Sequence, residues 1–432
     1  MTPEARIAAA IALLEGVAAQ PRRPADAIAA EFFRARRFIG GGDRRAVSDL
    51  AWGALRQRLR LEWHLAAVGA PATPRLLVLA QMVLGQKVPA AAALRAFAGG
   101  RFGPEAASPA EAAAARALEG RPLADPAMPE GPRLNLPEWA LPGLRRRFGE
   151  ALAAEAAALE GVAPLDLRAN ALKATRAAVL AGLGAPAEAT RFSPWGVRLP
   201  PRTSVAAHPL FKDGAVEVQD EGSQLIAALV GAQPGMRVAD YCAGAAGKTL
   251  AMAASMDNRG RIVACDVSAA RLAGADKRLR RAGVHNAETH LLSPGDRWAK
   301  RRAGQFDRVL VDAPCTGTGT WRRNPDARVR TTGADLAELV AKQGEILSIS
   351  AQLVRPGGRL AYATCSLLPE EDEDQVERFL AANPAFQAVP LSRAWAEAGL
   401  PGAPPCDGPH LALSPAAHGT DGFFCAVLER AG

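Results

Sequence analysis

Two cysteines are the residues best placed to do covalent chemistry. Cys315 sits in DAPCTGTGT (Asp312 to Thr320), and Cys365 sits in RLAYATCSLLPEE (Arg359 to Glu371). A third stretch, RVADYCAGAAGKT (Arg237 to Thr249), carries a glycine-containing loop that opens a helix. Each stretch reads as the C-terminal end of a buried strand breaking into a loop. The three then meet at one edge of an open α/β sheet, where such folds place their ligands. Cys315 lies three residues after Asp312, with Pro314 bringing the two close. This set suits methyl transfer to a pyrimidine ring. Carbon 5 of a cytosine or uracil is a poor nucleophile until a thiolate adds at carbon 6 and makes it enamine- or enolate-like. An acid near ring nitrogen 3 helps that addition, and a base must later remove the proton at carbon 5 so that the thiolate can leave. On the residues alone, either cysteine can be the attacker.

The other cysteines read differently. Cys242 lies inside the loop and suits packing, Cys265 precedes Asp266 in a core strand, and Cys406 and Cys425 lack catalytic neighbours. No CxxC pair and no zinc or disulfide spacing is present, so no metal is expected. The loop is neither GxxxxGK[ST] nor GxGxxG, which favours S-adenosylmethionine over a nucleotide diphosphate. Gly244 and Gly247 allow close backbone approach, and the helix start that follows favours a carboxylate. Asp266 follows Gly244 by 22 residues, the distance expected for an acid on a ribose diol at the end of the second strand. Arg271, one turn into the next helix, can help orient that end. Asp296, after a weaker third strand, is placed to bond an adenine amino group.

The elements that must position these residues occupy a chain of 432 residues, long enough for two or three domains. The formal charge of +8 argues modestly for a polyanionic partner. The start has acidic residues and no apolar signal region, and no stretch approaches a membrane span, so a cytoplasmic protein is expected. Residues 1 to about 120 read as helices. Thr2-Pro3 starts the first, with Ile7, Ile11 and Leu14 on one face and breaks at Gly16 and Pro21 to Pro24. A second is ended by GGGD (Gly40 to Asp43). Asp43 or Ser48 caps a longer one through Trp52, Leu55, Leu59 and Trp63, and others start near Pro74, Pro89 and Ser108. Residues 1 to 64 hold eleven arginines against seven acids, densest at Arg34, Arg36, Arg37, Arg44, Arg45, Arg56, Arg58 and Arg60. They form either solvated helix faces or a module that docks RNA or protein.

Six prolines between Arg121 and Pro142 mark a linker, and helical periodicity returns from Glu138 to Leu159. A small β-α-β-β element follows: LDLRAN (Leu165 to Asn170), a helix over Ala171 to Leu183, and strands near Gly196 to Leu199 and Ala215 to Val218. Arg168 and Asn170 end its first strand and are candidates to face substrate. Between the two cysteines lies WRRNPDARVR (Trp321 to Arg330), within a stretch, 297 to 330, of nine basic residues against three acids. Such a loop at the mouth of the site would hold a nucleic-acid backbone, with Trp321 free to stack or pack.

With these residues the core resembles the Sun family of S-adenosylmethionine-dependent RNA cytosine-5 methyltransferases, close to the Fmu-type enzymes of small-subunit ribosomal RNA. The resemblance rests on VQDEGSQL (Val218 to Leu225), DYCAGAAGKT, Asp266, Gly295-Asp296, DAPCTGTGTWRRNPD, YATCSLLPEED and DGFFCAVL. It covers Val218 to Glu429, and the helical N-terminus is similar to the NusB-like RNA-binding domain of this branch. It implies an α/β Rossmann-like class I methyltransferase core at 218–432, a small α+β domain at 161–217, a linker and helix at 126–160, and an all-helical domain at 1–125. It further implies that Cys365 is the nucleophile, that Cys315 permits breakdown of the covalent intermediate, and that Asp312 contacts the target base. S-adenosylmethionine would be held by Asp240, Cys242, Ala243, Gly244, Ala245, Ala246, Gly247, Lys248, Asp266, Arg271, Asp296 and Asp312. RNA would be met by Arg168, Asn170, Trp321, Arg322, Arg323 and Asn324, with ribosomal RNA as the partner of a monomeric enzyme. The family loop usually reads CAAPGGK; here Ala245 replaces the proline and Ala246 the first paired glycine. A DNA cytosine-5 methyltransferase and a non-catalytic ribosome-assembly factor are the competing readings. The TCS motif and the preceding small domain count against the first.

Overall fold

A computed structural model describes every residue except position 185. The chain divides into two compact units, Met1–Gly161 with Trp321–Gly333, and Val162–Thr320 with Ala334–Gly432.

The first unit is helical. Thr2 Oγ1 accepts the N–H of Ala5 at 3.2 Å and starts a helix, Pro3–Ala18, that buries Ile7, Ile11 and Leu14 together. Gly16 does not break this helix, because a single glycine costs only about 1 kcal/mol against a packed face. The GGGD sequence begins a helix instead of ending one. Gly40 is the cap of Gly41–Arg56, and Asp43 lies in its first turn, bonded to the chain N-terminus at 3.0 Å and to Arg6 Nε at 2.8 Å. The single long helix expected through Trp63 is two, Gly41–Arg56 and Arg58–Ala67, broken at Gln57. At that break Gln57 Nε2 and Arg60 Nη1 both reach Glu160 Oε2, at 3.0 and 2.7 Å. Helices also start at Pro74, capped by Thr73, at Ala90, and at Pro109, where Ser108 and Glu111 form a capping box.

Much of the dense arginine group is committed within this unit. Arg36 lies 3.9 Å over Phe32, Arg44 bonds Ile39 O, Arg58 pairs with Glu62, and Arg56 Nη1 donates to the carbonyls of Glu160, Gly161 and Arg322. Arg34, Arg37 and Arg45 stay exposed. The segment Trp321–Gly333 is built into the same unit. Asp326 Oδ2 accepts the N–H of Ala25 at 3.1 Å, capping the helix Ala25–Ala35, whose own N-cap residue is a proline without a side-chain acceptor. Arg328 Nη2 bonds Leu159 O at 3.2 Å, and Trp321 meets Trp139 edge to face at 6.3 Å.

The second unit opens with a small antiparallel sheet of β1 (Leu165–Ala169), β2 (Glu188–Ala189), β3 (Gly196–Leu199) and β4 (Val216–Val218), in the order β2-β3-β1-β4. Its helix, Arg176–Leu183, begins five residues later than expected because Thr175 caps it. The main sheet comprises β5 (Arg237–Asp240), β6 (Arg261–Asp266), β7 (Ala287–Leu291), β8 (Phe306–Asp312), β9 (Val354–Thr364), β10 (Phe386–Val389), β11 (Leu411–Leu413) and β12 (Phe423–Arg430). Its order is β10-β12-β9-β8-β5-β6-β7, with β11 on β12; β5 to β9 run parallel and β12 antiparallel to β9. Both faces are buried. Val238, Ile262 and Leu310 enter one apolar layer, while Ala239, Val263 and Val309 enter the other. This burial explains the near-continuous apolar strands in the sequence. From β5 the chain moves outward to β6 and β7, then returns across β5 to β8. The order therefore reverses between β5 and β8, which opens a crevice above their C-terminal ends.

Candidate active site

The strand ends at this crevice carry Asp240, Asp266 and Asp312, and the β9 exit carries Cys365. The loop after β5 is shaped by its neighbours. Gly244 N donates to Asp266 Oδ2, and Ser268 N donates to Asp266 Oδ1, both at 2.8 Å. Asp266 therefore ties the loop to β6 while Arg271 stands 3.9 Å away. Arg278 Nη1 holds Ala245 O at 2.7 Å, and Arg168 Nη1 holds Gly247 O at 3.0 Å. Two arginines thus do by hydrogen bonding what a proline at position 245 would do by fixing φ.

Ala246 bears the cost of this loop. Its φ of 62° and ψ of 28° place an L-alanine in the left-handed region, as the N-cap of the helix Gly247–Ser255. The side chain is fully buried. Ala246→Val should lower stability by about 2 kcal/mol or more, because a β-branched residue is strongly disfavoured there. Ala246→Gly should be tolerated within about 1 kcal/mol, since relief of the left-handed strain offsets the added freedom of the unfolded chain. Thermal unfolding of the two variants checks this; equal losses would refute the strain at Ala246.

Three carboxylates and one ammonium set the electrostatics. Lys248 Nζ bonds Asp312 Oδ2 at 2.6 Å. Burial works against the charge on Lys248, but the adjacent Asp312 outweighs it and holds the lysine above its ordinary pKa. Asp240 accepts Thr249 Oγ1 at 2.7 Å through Oδ2, while its buried Oδ1 has no partner. Burial lifts the Asp240 carboxyl to about 7; the Thr249 hydrogen bond opposes this and Asp312 adds to it. An orphaned buried oxygen, with carboxylates at three neighbouring strand ends, suits a ligand bearing ammonium and sulfonium charge beside hydroxyl groups. The donor set therefore fits S-adenosylmethionine. Asp296, beyond β7, binds His290 Nε2 at 2.7 Å and Trp298 N at 2.8 Å, and the His290 bond depresses its pKa.

The two cysteines come together. Cys315 Sγ and Cys365 Sγ are 3.4 Å apart. The hydrogen bond to Cys365, then burial, drives the Cys315 thiol well above its usual pKa. Their loops are fastened by Glu371, which is fully buried. It accepts from Thr316 N at 2.9 Å, Ser366 Oγ at 2.6 Å and Gln343 Nε2 at 3.0 Å, and from Thr316 Oγ1. Thr318 Oγ1 adds a bond from Leu367 N at 2.7 Å. Gly319 lies against the Gly422 backbone so closely that no side chain fits at either position. Of the remaining cysteines, Cys265 and Cys425 are buried and Cys242 and Cys406 half-buried, and burial raises Cys425 to about 12.

Sequence reasoning missed Glu371. PEEDED reads as a solvated acidic run, and only its place directly after the TCS loop hinted otherwise. The residues expected to meet RNA are arranged differently from that expectation. Arg168 is buried on Gln219 and Gly247 O. Asn170 is buried too, donating to Gly214 O and Ala282 O at 2.8 Å each. Trp321 and Arg322 are buried as well, whereas Arg323 is half-buried and Asn324 exposed. The WRRNPD segment is thus no free basic loop, because its indole and backbone are taken up by the helical unit.

Residues 227–429 match the family model described as 16S rRNA methyltransferase RsmB/F. A probable ribosomal RNA small subunit methyltransferase B from Synechocystis is 35% identical over 70% of this chain and 68% of its own length. A ribosomal RNA small subunit methyltransferase B from Pseudomonas syringae is 34% identical over 68% of the chain and 65% of its own length. The matched span is thus about two thirds of these relatives. Among solved structures, the protein designated PH0851 superposes over 100% of this chain and 99% of its own, with a TM-score of 0.78 at 24% identity. A methyltransferase homolog from Pyrococcus horikoshii covers 69% of this chain and 96% of its own, with a TM-score of 0.59 at 28% identity.

Proposed function

The chain belongs to the RsmB/F family of 16S rRNA methyltransferases, and from that premise we propose that it methylates carbon 5 of a cytosine in small-subunit ribosomal RNA through a covalent adduct on Cys365. The observation that carries the reading is the 3.4 Å contact between Cys315 and Cys365, beside Asp312 at the sheet's switch point. Bound S-adenosylmethionine would supply an electrophilic methyl group. Asp240, Asp266 and Asp296 would bind it, with the loop Cys242 to Lys248 closing over it. Cys365 adds to carbon 6, and the Cys315 thiol, held protonated, stabilises the attacking sulfur through its hydrogen bond. Asp312, paired with Lys248, contacts the base edge and assists the addition. After Cys365 has added, Cys315 passes its own proton to solvent; once the methyl group is in place its thiolate takes the proton from carbon 5, the C5=C6 bond re-forms and Cys365 leaves as a thiolate. Glu371 acts by keeping the two cysteine loops at this separation.

The test is bisulfite mapping of ribosomal RNA from a strain lacking this protein, complemented with the wild-type chain. One cytosine should lose its methyl mark on deletion and regain it on complementation. An unchanged methylation map would remove the proposal.

A further inference from the structure

We infer that an arginine-lined cleft at the opposite edge of the main sheet holds a phosphate of the RNA backbone, an inference that rests on RNA being the substrate. The cleft encloses about 240 Å³ and is lined by Arg237, Arg261, Arg301 and Arg302, over a floor that includes Phe306. The strand starts fix its geometry. Arg237 and Arg261 open β5 and β6 and are register partners, and Phe306 opens β8 next to them. Arg301 and Arg302 come from the end of the short helix Trp298–Arg301. This is the first part of the basic stretch that the sequence directed to the mouth of the catalytic site. β8 spans seven residues between the cleft and Asp312, so the two lie on the order of 20 Å apart.

The charges of this cleft are poorly balanced. Arg261 is held by both oxygens of Glu288 at 2.8 Å, and Asp307 accepts Arg237 N and Arg355 Nε, both at 2.7 Å. Arg301 and Arg302 make no ion pair among the described residues, and the acid acting on Arg301, Asp296, is already bonded to His290. Four guanidinium groups thus line the cleft, and of these Arg261 pairs with a carboxylate, Glu288. Several are also pre-oriented. Arg237 Nη2 donates to Gln305 Oε1 at 3.0 Å and lies 5.7 Å over Phe306, and Arg302 lies 5.1 Å over Trp298. Planar forks held in place suit phosphate oxygens better than flexible ammonium groups do. The cleft is open to solvent, with the Arg261 side chain 58% exposed, so screening keeps it weak toward a small anion. A long polyanion already engaged at the catalytic edge meets it at high effective concentration. That difference favours RNA over a free phosphate compound.

The experiment is equilibrium binding of the full chain to an in vitro transcript of small-subunit ribosomal RNA across a salt series. Arg301→Ala/Arg302→Ala should weaken binding about tenfold at low salt and reduce the slope of log affinity against log salt by about 1.5 to 2, as expected for two lost phosphate contacts. Arg301→Lys/Arg302→Lys, which keeps the charge, should retain most of the slope, and melting temperatures should stay level. An unchanged slope in the alanine pair overturns the cleft's role alone. Tripolyphosphate that raises the melting temperature of the wild type but not of the alanine pair, with transcript affinity unchanged, overturns RNA as the ligand. A wild-type chain that does not bind the transcript overturns the cleft and the proposed function together.

Discussion

Cys365→Ala should abolish methyl transfer, lowering the single-turnover rate by about 10⁴-fold or more, the scale on which removing a covalent nucleophile acts. No other group can take over. Cys315, the nearest sulfur at 3.4 Å, loses its hydrogen bond to Cys365 in this variant, but its burial and the nearby Glu371 still push its thiol upward. Cys242, Cys265 and Cys425 are each pushed above the ordinary thiol range, chiefly by burial. The readout is transfer of a labelled methyl group to ribosomal RNA, with cofactor affinity measured in parallel. Retention of 5-methylcytosine formation by this variant would refute Cys365 as the attacker.

Cys315→Ala should produce the opposite failure. Addition at carbon 6 and methylation at carbon 5 need only Cys365, whereas release needs the proton at carbon 5 to be removed. Turnover should drop by about 10²- to 10⁴-fold while protein joined to RNA accumulates as a band that survives denaturing electrophoresis. The band should disappear in Cys315→Ala/Cys365→Ala. Ample turnover without an adduct would eliminate the release role. Because Cys315 is hydrogen-bonded to the Cys365 sulfur, its loss should slow the first addition as well, so the adduct should form more slowly than one wild-type turnover.

What the sequence revealed follows the range over which each feature is determined. The strand ends at Asp240, Asp266, Asp312 and Cys365 were legible because a few adjacent residues specify a buried strand and its breaking loop. The helix starts at Thr2, Pro74 and Ser108 were legible for the same reason. GGGD was misread because Asp43 finds its partners, the N-terminus and Arg6, 42 and 37 residues away. Arg168 and Asn170 were correctly placed at a strand end, but their surroundings depend on Gln219, Gly247 and Ala282, which no local pattern identifies. Glu371 lies in a run of acids in which Asp372 is fully buried as well, and composition alone does not show that burial.

The segment Trp321–Gly333 has a consequence for the order of synthesis. Gly161 leaves the ribosome 160 residues before Trp321, an interval of about 8 to 32 seconds at ordinary elongation rates. Throughout it, the helices of the first unit are complete in sequence but lack Asp326 for the N–H of Ala25, Arg328 for Leu159 O, and the indole that meets Trp139. The first part of the chain to be made is therefore finished only after Cys315 has been added. Its last contacts and the loop bearing that cysteine are completed in the same stretch of translation.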